Sequence, residues 1–404
     1  MAHDLVTELL QYSSLACFMP IWQLCANLLI PNCLRSNLSY SPLAALEPYV
    51  NEYNSKLYKF PTVIQYAKNI NGCENKIIGE LALSNLIQSN RQDSSIISKI
   101  KTELREQNGY YVNGKIKKSV EIVSDIFQKI KDISEKQSGE CFDDVIITHP
   151  AHPFESTKKQ LLVDAAKRSG FTNVSLLDEP IAASYAFIKK HDIPTNTGSV
   201  VFDYGGGTID VAYLWYDENK KITFKFPPQS KSECGGEYID LLLHNFICEK
   251  LGSNENQFIV PILLDHCSRM KINFAESSEE TIYHNGKAIT LSYDDFVKII
   301  RPKTEIAINL FKNIIKKCND LHLQIDNVFL NGGSSRLRLV KKTVEISLPG
   351  TNTYFFGGDD LAVAIGALLY SSGLRVISTP NNRIAQVTYK DPILTAHINK
   401  FKNT

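Results

Sequence analysis

Short apolar runs alternate along this chain with stretches whose apolar positions recur every three or four residues. Val145-Ile-Ile-Thr148, Val174 to Leu177, Val200-Val201-Phe202 and Val328-Phe-Leu330 are runs closed by His-Pro, Asp, Asp and Asn-Gly. Such runs predict strands covered on both faces. Between them lie helical patterns. Val120 to Ile133 carries Val120, Val123, Ile126, Phe127 and Ile130 on one stripe. Ser156 to Ser169 predicts a helix with Ser156 as N-cap and Gly170 beyond its end. Pro180 opens the next helix at the favoured first position. Strand, helix, strand, helix in this order predicts an α/β fold.

The remaining patterns fill in around this unit. A strand is predicted around Phe60 to Tyr66, with a turn near Asn71-Gly72, and Ile77 to Gly79 ends a strand that feeds a short helix. Tyr110 to Val112 with Asn113-Gly114 predicts a hairpin. His191 to Thr197 predicts a hinge. Helices are expected over Tyr238–Lys250, Ile262–Phe274, Ser292 toward Lys298, Thr304–Cys318 and Ala362–Ser372, and a strand pair joins at Asn285-Gly286. Ile384 to Tyr389 suggests one strand in the tail. Gln11 to Leu34 is uncharged, but Pro20, Pro31 and several amides interrupt it and no basic segment precedes it, so a buried terminal segment is expected rather than a membrane span.

The stretch that carries the chemistry is Ser199 to Asp217, SVVFDYGGGTIDVAYLWYD. A buried strand ends in Asp203, three glycines turn the corner at Gly205, Gly206 and Gly207, and the chain returns from Thr208 with period two. Glycine lets backbone N–H groups approach a phosphate closely, Thr208 has a hydroxyl to give it, and Asp203 stands where it can hold Mg²⁺ through water. A structural hairpin corner is the alternative. Asn331-Gly332-Gly333-Ser334 repeats the pattern of buried strand, glycine corner and helix, which suggests two similar halves facing one cleft. His149 and His152 flank Pro150 and read as surface loop residues.

Composition narrows this further. At 404 residues, with 44 basic against 43 acidic side chains, the chain has room for two lobes and no basic field for nucleic acid. Its nine cysteines form no CxxC pair, so neither a zinc site nor a disulfide framework is favoured and a reduced, cytoplasmic setting is expected.

Four segments in fixed order then resemble the nucleotide-binding domain of the heat shock protein 70 family, from about Phe60 to Leu374. They are DVIITHPAHPFESTKKQLLVDAAKRSGF, LLDEPIAASYAF, VFDYGGGTIDVAYL with the later CGGEYID, and FLNGGSSRLRLVKK with DDLAVAIGA. The resemblance implies a bilobed actin-like ATPase (ribonuclease H-like) fold with a nucleotide cleft between two lobes. It divides the chain into a divergent segment 1–44, lobe I over 45–190, lobe II over 191–361, a closing helix over 362–385 and a tail over 386–404. It implies ATP or ADP with Mg²⁺ as ligand. Glu179, Asp203 and Asp210 would hold the hydrated metal, and Gly205, Gly206, Gly207 and Thr208 the phosphates. Gly235, Gly236, Lys271, Gly332, Gly333, Ser334 and Arg336 would line the nucleoside side, with Asp360 capping the closing helix. Lys99 or Lys101 would stand beside the γ-phosphate. Pro150 and Lys158 match positions that couple nucleotide state to lobe movement.

Departures from the family pattern shape the functional expectation. Arg35 stands where the first phosphate hairpin has its metal-facing aspartate, and Asn37 where it has glycine. Ser268 and Ile272 replace the glutamate and the stacking arginine of the adenine-clasping helix. The tail is too short for a peptide-binding domain. The resemblance therefore implies an atypical ATP-binding chaperone component with weak or lost hydrolysis, acting with J-domain co-chaperones, exchange factors or ribosome-associated chaperones. The alternative is a pseudo-ATPase docking module for the same partners. A third reading stays open, that the first forty residues are a wrong gene start and the true phosphate hairpin is encoded upstream.

Overall fold

The computed structural model describes most residues from 62 to 377 together with two short strands before them. Outside the description lie 1–48, 51–55, 58–61, 69–72, 90–92, 99, 101–103, 105–108, 140, 152–153, 253–260, 285, 357–360 and 378–404. The predicted turn at Asn71-Gly72, the tail strand, the Gln11–Leu34 segment, Arg35 and Asn37 thus fall outside the described residues.

β1 (Tyr49–Val50) and β2 (Lys56–Leu57) pair antiparallel. β3 (Ile64–Lys68) is flanked antiparallel by β4 (Glu74–Ile78) and β5 (Ile96–Ile97), and α1 (Glu80–Gln88) leaves β4 directly. β6 (Tyr110–Val112) and β7 (Lys115–Lys117) form the expected hairpin. Its turn uses Asn113 at φ 51° and Gly114 at φ 80°, the pair of positive φ angles that suits the twist of a two-residue hairpin. α2 (Ser119–Ser138) follows, and then comes the predicted α/β unit. β8 (Asp144–His149) and β9 (Asn173–Asp178) are parallel, joined through α3 (Ser156–Arg168). Ile122, Ile126, Phe127, Ile147, Ala165 and Phe171 form the centre of this first core. Ser156 is the first helical residue and not the cap; Glu155 takes the N-cap position and Gly170 sits past the end at φ 84°.

α4 (Glu179–His191) buries Ala182, Ala183, Ala186 and Phe187 in a third cluster of its own; Pro180 lies in its first turn, as its second residue and not the expected first. In the segment after this helix, where a hinge is expected, Ile193 is buried and the Asn196 N–H bonds to the Tyr216 carbonyl. β10 (Thr197–Tyr204) and β11 (Thr208–Tyr216) are the glycine-cornered hairpin. β12 (Ile222–Phe224) and β13 (Gln229–Ser232) both add to β11. α5 (Gly236–Leu251), α6 (Pro261–Asn273), the hairpin β14 (Glu279–His284) and β15 (Lys287–Ser292), and α7 (Tyr293–Asp320) come next. β16 (Asn327–Asn331) returns parallel to β10, and a 3-10 turn (Gly333–Arg336) leads into α8 (Arg338–Ser347). β17 (Asn352–Phe355) extends the sheet parallel to β16, and α9 (Ala362–Ile377) ends the described chain.

Two helices were expected between Ser292 and Cys318; the structure has one, with Pro302 inside it. A mid-helix proline costs roughly 3 kcal/mol. One continuous stripe outweighs it, because Phe296 and Ile300 before the proline and Ala307, Phe311 and Ile314 after it are all buried in the same core.

The two faces of the central sheet are covered by different layers. Val200, Phe202, Val211, Tyr213, Val328 and Leu330 pack into the second core, which includes α5, α7 and α8. The alternate residues Val201, Ala212, Leu214 and Phe329 meet Ala182, Ala186 and Phe187 of α4 and Ala362, Val363 and Ile365 of α9. The lack of polar alternation in these strands follows from that double cover. Gly366 marks how tightly α9 crosses α4: a Cβ there would lie 1.6 Å from the Ala182 carbonyl oxygen.

Candidate functional site

On the face covered by α4 and α9, the sheet changes from apolar to polar within one pleat. Ala212, Val201 and Phe329 form one row across β11, β10 and β16, by strict register. Two residues further on, toward the carboxyl ends of β10 and β16, the next row is Asp210, Asp203 and Asn331. Side chains two apart share a face, so this row continues the apolar one beyond its edge. All three are buried. Asn331 Nδ2 donates to Asp203 Oδ2 at 2.9 Å, and the Thr208 hydroxyl lies 3.5 Å from Asp210 Oδ2. The carboxyl ends of parallel strands are the usual ligand side of such sheets.

Three corners interlock around this row. The Gly205 N–H closes the hairpin on the Thr208 carbonyl at 3.0 Å. Gly236 N–H and the Ser334 hydroxyl both donate to the Gly205 carbonyl at 3.0 Å, and Glu237 N–H donates to the Gly206 carbonyl at 2.9 Å. A Cβ on Gly235 would sit 2.1 Å from the Gly206 oxygen, and one on Gly332, at φ 80°, 2.4 Å from the Tyr204 oxygen. Glycine at 235 and 332 is therefore demanded by the contact between corners. At Gly206 and Gly207 no such bond uses the N–H groups: among the described residues neither has an acceptor, which leaves two donors for a ligand.

This arrangement corrects one expectation. The Gly205 and Gly332 corners are not the matching parts of two similar halves. They belong to neighbouring strands of one sheet, because β10 and β16 pair in parallel with Asp203 opposite Asn331.

Other expected residues are placed around the corners. Glu179 is the first residue of α4 and buried; Gly333 and Arg336 lie at the exposed rim of the 3-10 turn, and Ser334 is buried. Lys271 of α6 is buried beneath the Gly236 corner, with Nζ 2.9 Å from the Gly236 carbonyl and 2.8 Å from Asp240 Oδ1. Burial holds the Asp240 carboxyl above its ordinary value, while Lys271 and Ser268 pull it down. Ser268 is buried, whereas Ile272 on the same helix is 47% exposed. Lys158 pairs with Glu155 at 3.1 Å. Lys99, Lys101 and Asp360 lie outside the described residues.

His149 was expected on a surface loop and is not there. It is the last residue of β8, 2% exposed, stacked on Phe154 at 5.2 Å between ring centroids. Its Nδ1 lies 2.8 Å from the Pro150 carbonyl and 3.6 Å from Asp178 Oδ1. Asp178 is its register partner on β9, and burial raises that carboxyl above the ordinary value against the opposing pull of Lys159. A buried strand carries its final residue into the interior whatever the residue type, which the following proline obscured. Asn331 was also passed over. Its signal was a polar residue closing an otherwise apolar run, the same signal that marked Asp203.

The residues present suit a hydrated divalent cation and a phosphate. Two buried carboxylates and an amide supply hard oxygen donors, and the free N–H pair at Gly206-Gly207 supplies anion donors. Among the described residues no group of three or more His, Cys, Asp or Glu side chains is placed to hold a metal ion directly. No described helix is long and apolar enough to cross a membrane.

The family model described as Hsp70 protein matches residues 66–394. The chain is 29% identical over 259 residues to a protein named chaperone protein HscA homolog from Rickettsia typhi, covering 63% of this chain and 41% of that protein. It is 26% identical over 277 residues to the HscA homolog of Acinetobacter baumannii, covering 67% and 44%. It is 26% identical over 226 residues to that of Mannheimia succiniciproducens, covering 56% and 36%. The chain thus spans roughly two fifths of the length of the curated relatives it matches.

Proposed function

The chain belongs to the Hsp70 family and has its bilobed, actin-like α/β fold, and from that premise we propose that it binds ATP or ADP with Mg²⁺ at the Asp203 row and acts as a chaperone component. The observation that carries the reading is the row itself. Asp203 and Asp210 are directly opposed and buried, at the mouth of three interlocking glycine corners. Two like charges so placed repel, and a dication between them and the phosphates relieves that repulsion. Glu179, at the first residue of α4, is the third carboxylate of this reading.

Each residue then has a role. Asp203 and Asp210 hold water molecules of the cation's shell, and Asn331 fixes one oxygen of Asp203. Gly206 and Gly207 give N–H groups, and Thr208 a hydroxyl, to the phosphates. Gly332, Gly333, Ser334 and Arg336 border the nucleoside, and the remaining N–H of Lys271 lies under the same corner. When bound, Mg²⁺ neutralises phosphate charge and lowers the cost of transferring the terminal phosphoryl group to water. With Arg35 in place of a metal-facing carboxylate, hydrolysis is slow, because this chemistry rests on positioning and charge neutralisation. The division into lobe I (45–190) and lobe II (191–361) draws support from the separate cores around β8 and around β10, with α4 and α9 packed in a third cluster that joins residues of both. J-domain co-chaperones and exchange factors are the partners this reading entails, in the cytoplasm.

A second reading, a docking module without turnover, is favoured by Ile272, whose exposed apolar side chain offers no stack to an adenine ring. The experiment that separates them is thermal unfolding with and without Mg·ATP and Mg·ADP, followed by phosphate release. At a hundred times the dissociation constant, nucleotide adds about 2.7 kcal/mol of stability. A clear rise that Asp203→Asn removes supports the nucleotide site; no rise at millimolar nucleotide overturns it in favour of docking.

A further inference from the structure

The buried amide of Asn331 has one end occupied and one end idle. It closes β16 at 2% exposure, and its Nδ2 donates to Asp203 Oδ2 at 2.9 Å. The reverse orientation would bring a carbonyl oxygen against a carboxylate, so the amide can only point this way. Oδ1 is then buried with no hydrogen-bond partner among the described residues. A buried carbonyl without a donor is costly, and such groups call for a reason. Packing does not supply one. The row behind Asn331 is apolar, with Phe329 two residues before it and Val201 beside that, so an apolar side chain would continue the row.

We infer that Asn331 is a positioning residue for the divalent cation: its Nδ2 orients Asp203 while its Oδ1 serves the cation's hydration shell as a third, neutral oxygen. The inference rests on the nucleotide–metal reading above and deepens it. A neutral oxygen is the electrostatically suitable choice. With Glu179, the carboxylates Asp203 and Asp210 already supply the charge that a dication needs, and a further carboxylate in the row would add repulsion whenever the cation is absent. The amide extends the oxygen row across three strands without that penalty, and it restrains the central carboxylate at the same time. Groups that hold a ligating carboxylate are worth 10- to 100-fold in metal affinity.

The test uses the full chain and Mn²⁺ as the probe, with free Mn²⁺ read by its electron paramagnetic resonance signal, with and without ADP. Three proteins are compared: wild type, Asn331→Leu, which has neither amide group, and Asn331→Asp, which keeps an oxygen but loses the donor to Asp203. The expected result is Mn²⁺ binding by wild type, an affinity about tenfold or more weaker in Asn331→Leu, and a clearly smaller loss in Asn331→Asp, which gives up the donor to Asp203 but keeps an oxygen for the cation's shell. Equal losses in both variants would overturn the oxygen-donor role and leave only the amide donor. Wild-type affinity in Asn331→Leu would overturn the inference while the nucleotide reading stands. No Mn²⁺ binding by wild type would sink both. Circular dichroism checks folding, and should the leucine variant fail to fold, Asn331→Val makes the same comparison with a side chain suited to a buried strand.

Discussion

Asp203 and Asp210 stand opposite each other as a register pair of β10 and β11, and both carboxylates are buried. The pairs just before it along the hairpin are apolar, Val201 with Ala212 and Phe202 with Val211. A like-charge pair in this place lowers stability by up to about 1 kcal/mol unless something positive joins it. Asp210→Asn is therefore expected to raise the unfolding midpoint in EDTA and to erase the rise that millimolar Mg²⁺ gives wild type. Calorimetry of both proteins, with and without Mg²⁺, checks this. A midpoint lowered in EDTA would show that the pair is stabilising by itself and carries no metal role.

α4 and α9 cross closely at Gly366. A Cβ at Gly366 would stand 1.6 Å from the Ala182 carbonyl oxygen, a backbone atom that cannot rotate away. Gly366→Ala must push the helices apart, and α9 carries Ala362, Val363 and Ile365 of the layer over the sheet. The expected cost is about 3 kcal/mol or more. Gly252→Ala is the control: nothing lies within 4 Å of its added Cβ, and only the positive φ of 66° is strained, so its cost stays near 1 kcal/mol. Urea unfolding of the two variants should separate them clearly.

The strands that build the site were legible because burial on both faces leaves an unbroken apolar run, and their chemical ends were legible because a polar residue interrupts the run. Asp203 stood out by that signal, and Asn331 shows the same signal. What the chain order hid was adjacency. Residues 203 and 331 lie 128 apart, and nothing in either segment says that they share a hydrogen bond. The fused helix over Tyr293–Asp320 was misread because Pro302 is a strong local stop, whereas the stripe that overrides it becomes decisive only against a core assembled from distant strands. His149 was misread for a related reason: His-Pro reads as a turn, yet β9 extends far enough to pair its last residue, Asp178, with His149.

Cysteine reactivity should follow burial. Cys73 and Cys141 are exposed, while Cys234, Cys248, Cys267 and Cys318 are buried. Burial pushes the Cys234 thiol up to about 11 and the Cys318 thiol to about 12, so neither has appreciable thiolate near neutrality. Among the described cysteines, brief iodoacetamide treatment of the native protein at pH 8 is expected to label Cys73 and Cys141 and to spare Cys234, Cys248, Cys267 and Cys318, with peptide mass spectrometry as the readout. Because Cys234 lies in the Gly235 corner, its rapid labelling would show that this corner opens in solution.

Lys271 and Asp240 make a buried ion pair directly beneath the Gly236 corner, and its two members are not equivalent. Lys271 also donates to the Gly236 carbonyl, whereas burial already biases Asp240 toward its protonated form. Asp240→Asn strands a buried ammonium and is expected to cost about 3–5 kcal/mol. Lys271→Met leaves a carboxyl that can take up a proton, so its cost should depend on pH. The folded-state carboxyl lies above its ordinary value of 3.8. In that state the folded protein binds more protons than the unfolded chain over the interval between the two values. Removing Lys271 raises the folded value further, so stability is largest below 3.8 and is lost as pH rises through the folded value. Lys271→Met should therefore approach wild type in acid and fall away from it toward neutrality, in urea unfolding at a series of pH values. The double variant Asp240→Leu with Lys271→Met removes both charges and should return close to wild-type stability. If that stable double variant still shows the full rise in unfolding midpoint with Mg·ADP, Lys271 serves only to brace the corner; if the rise shrinks, the third N–H of Lys271 reaches the ligand.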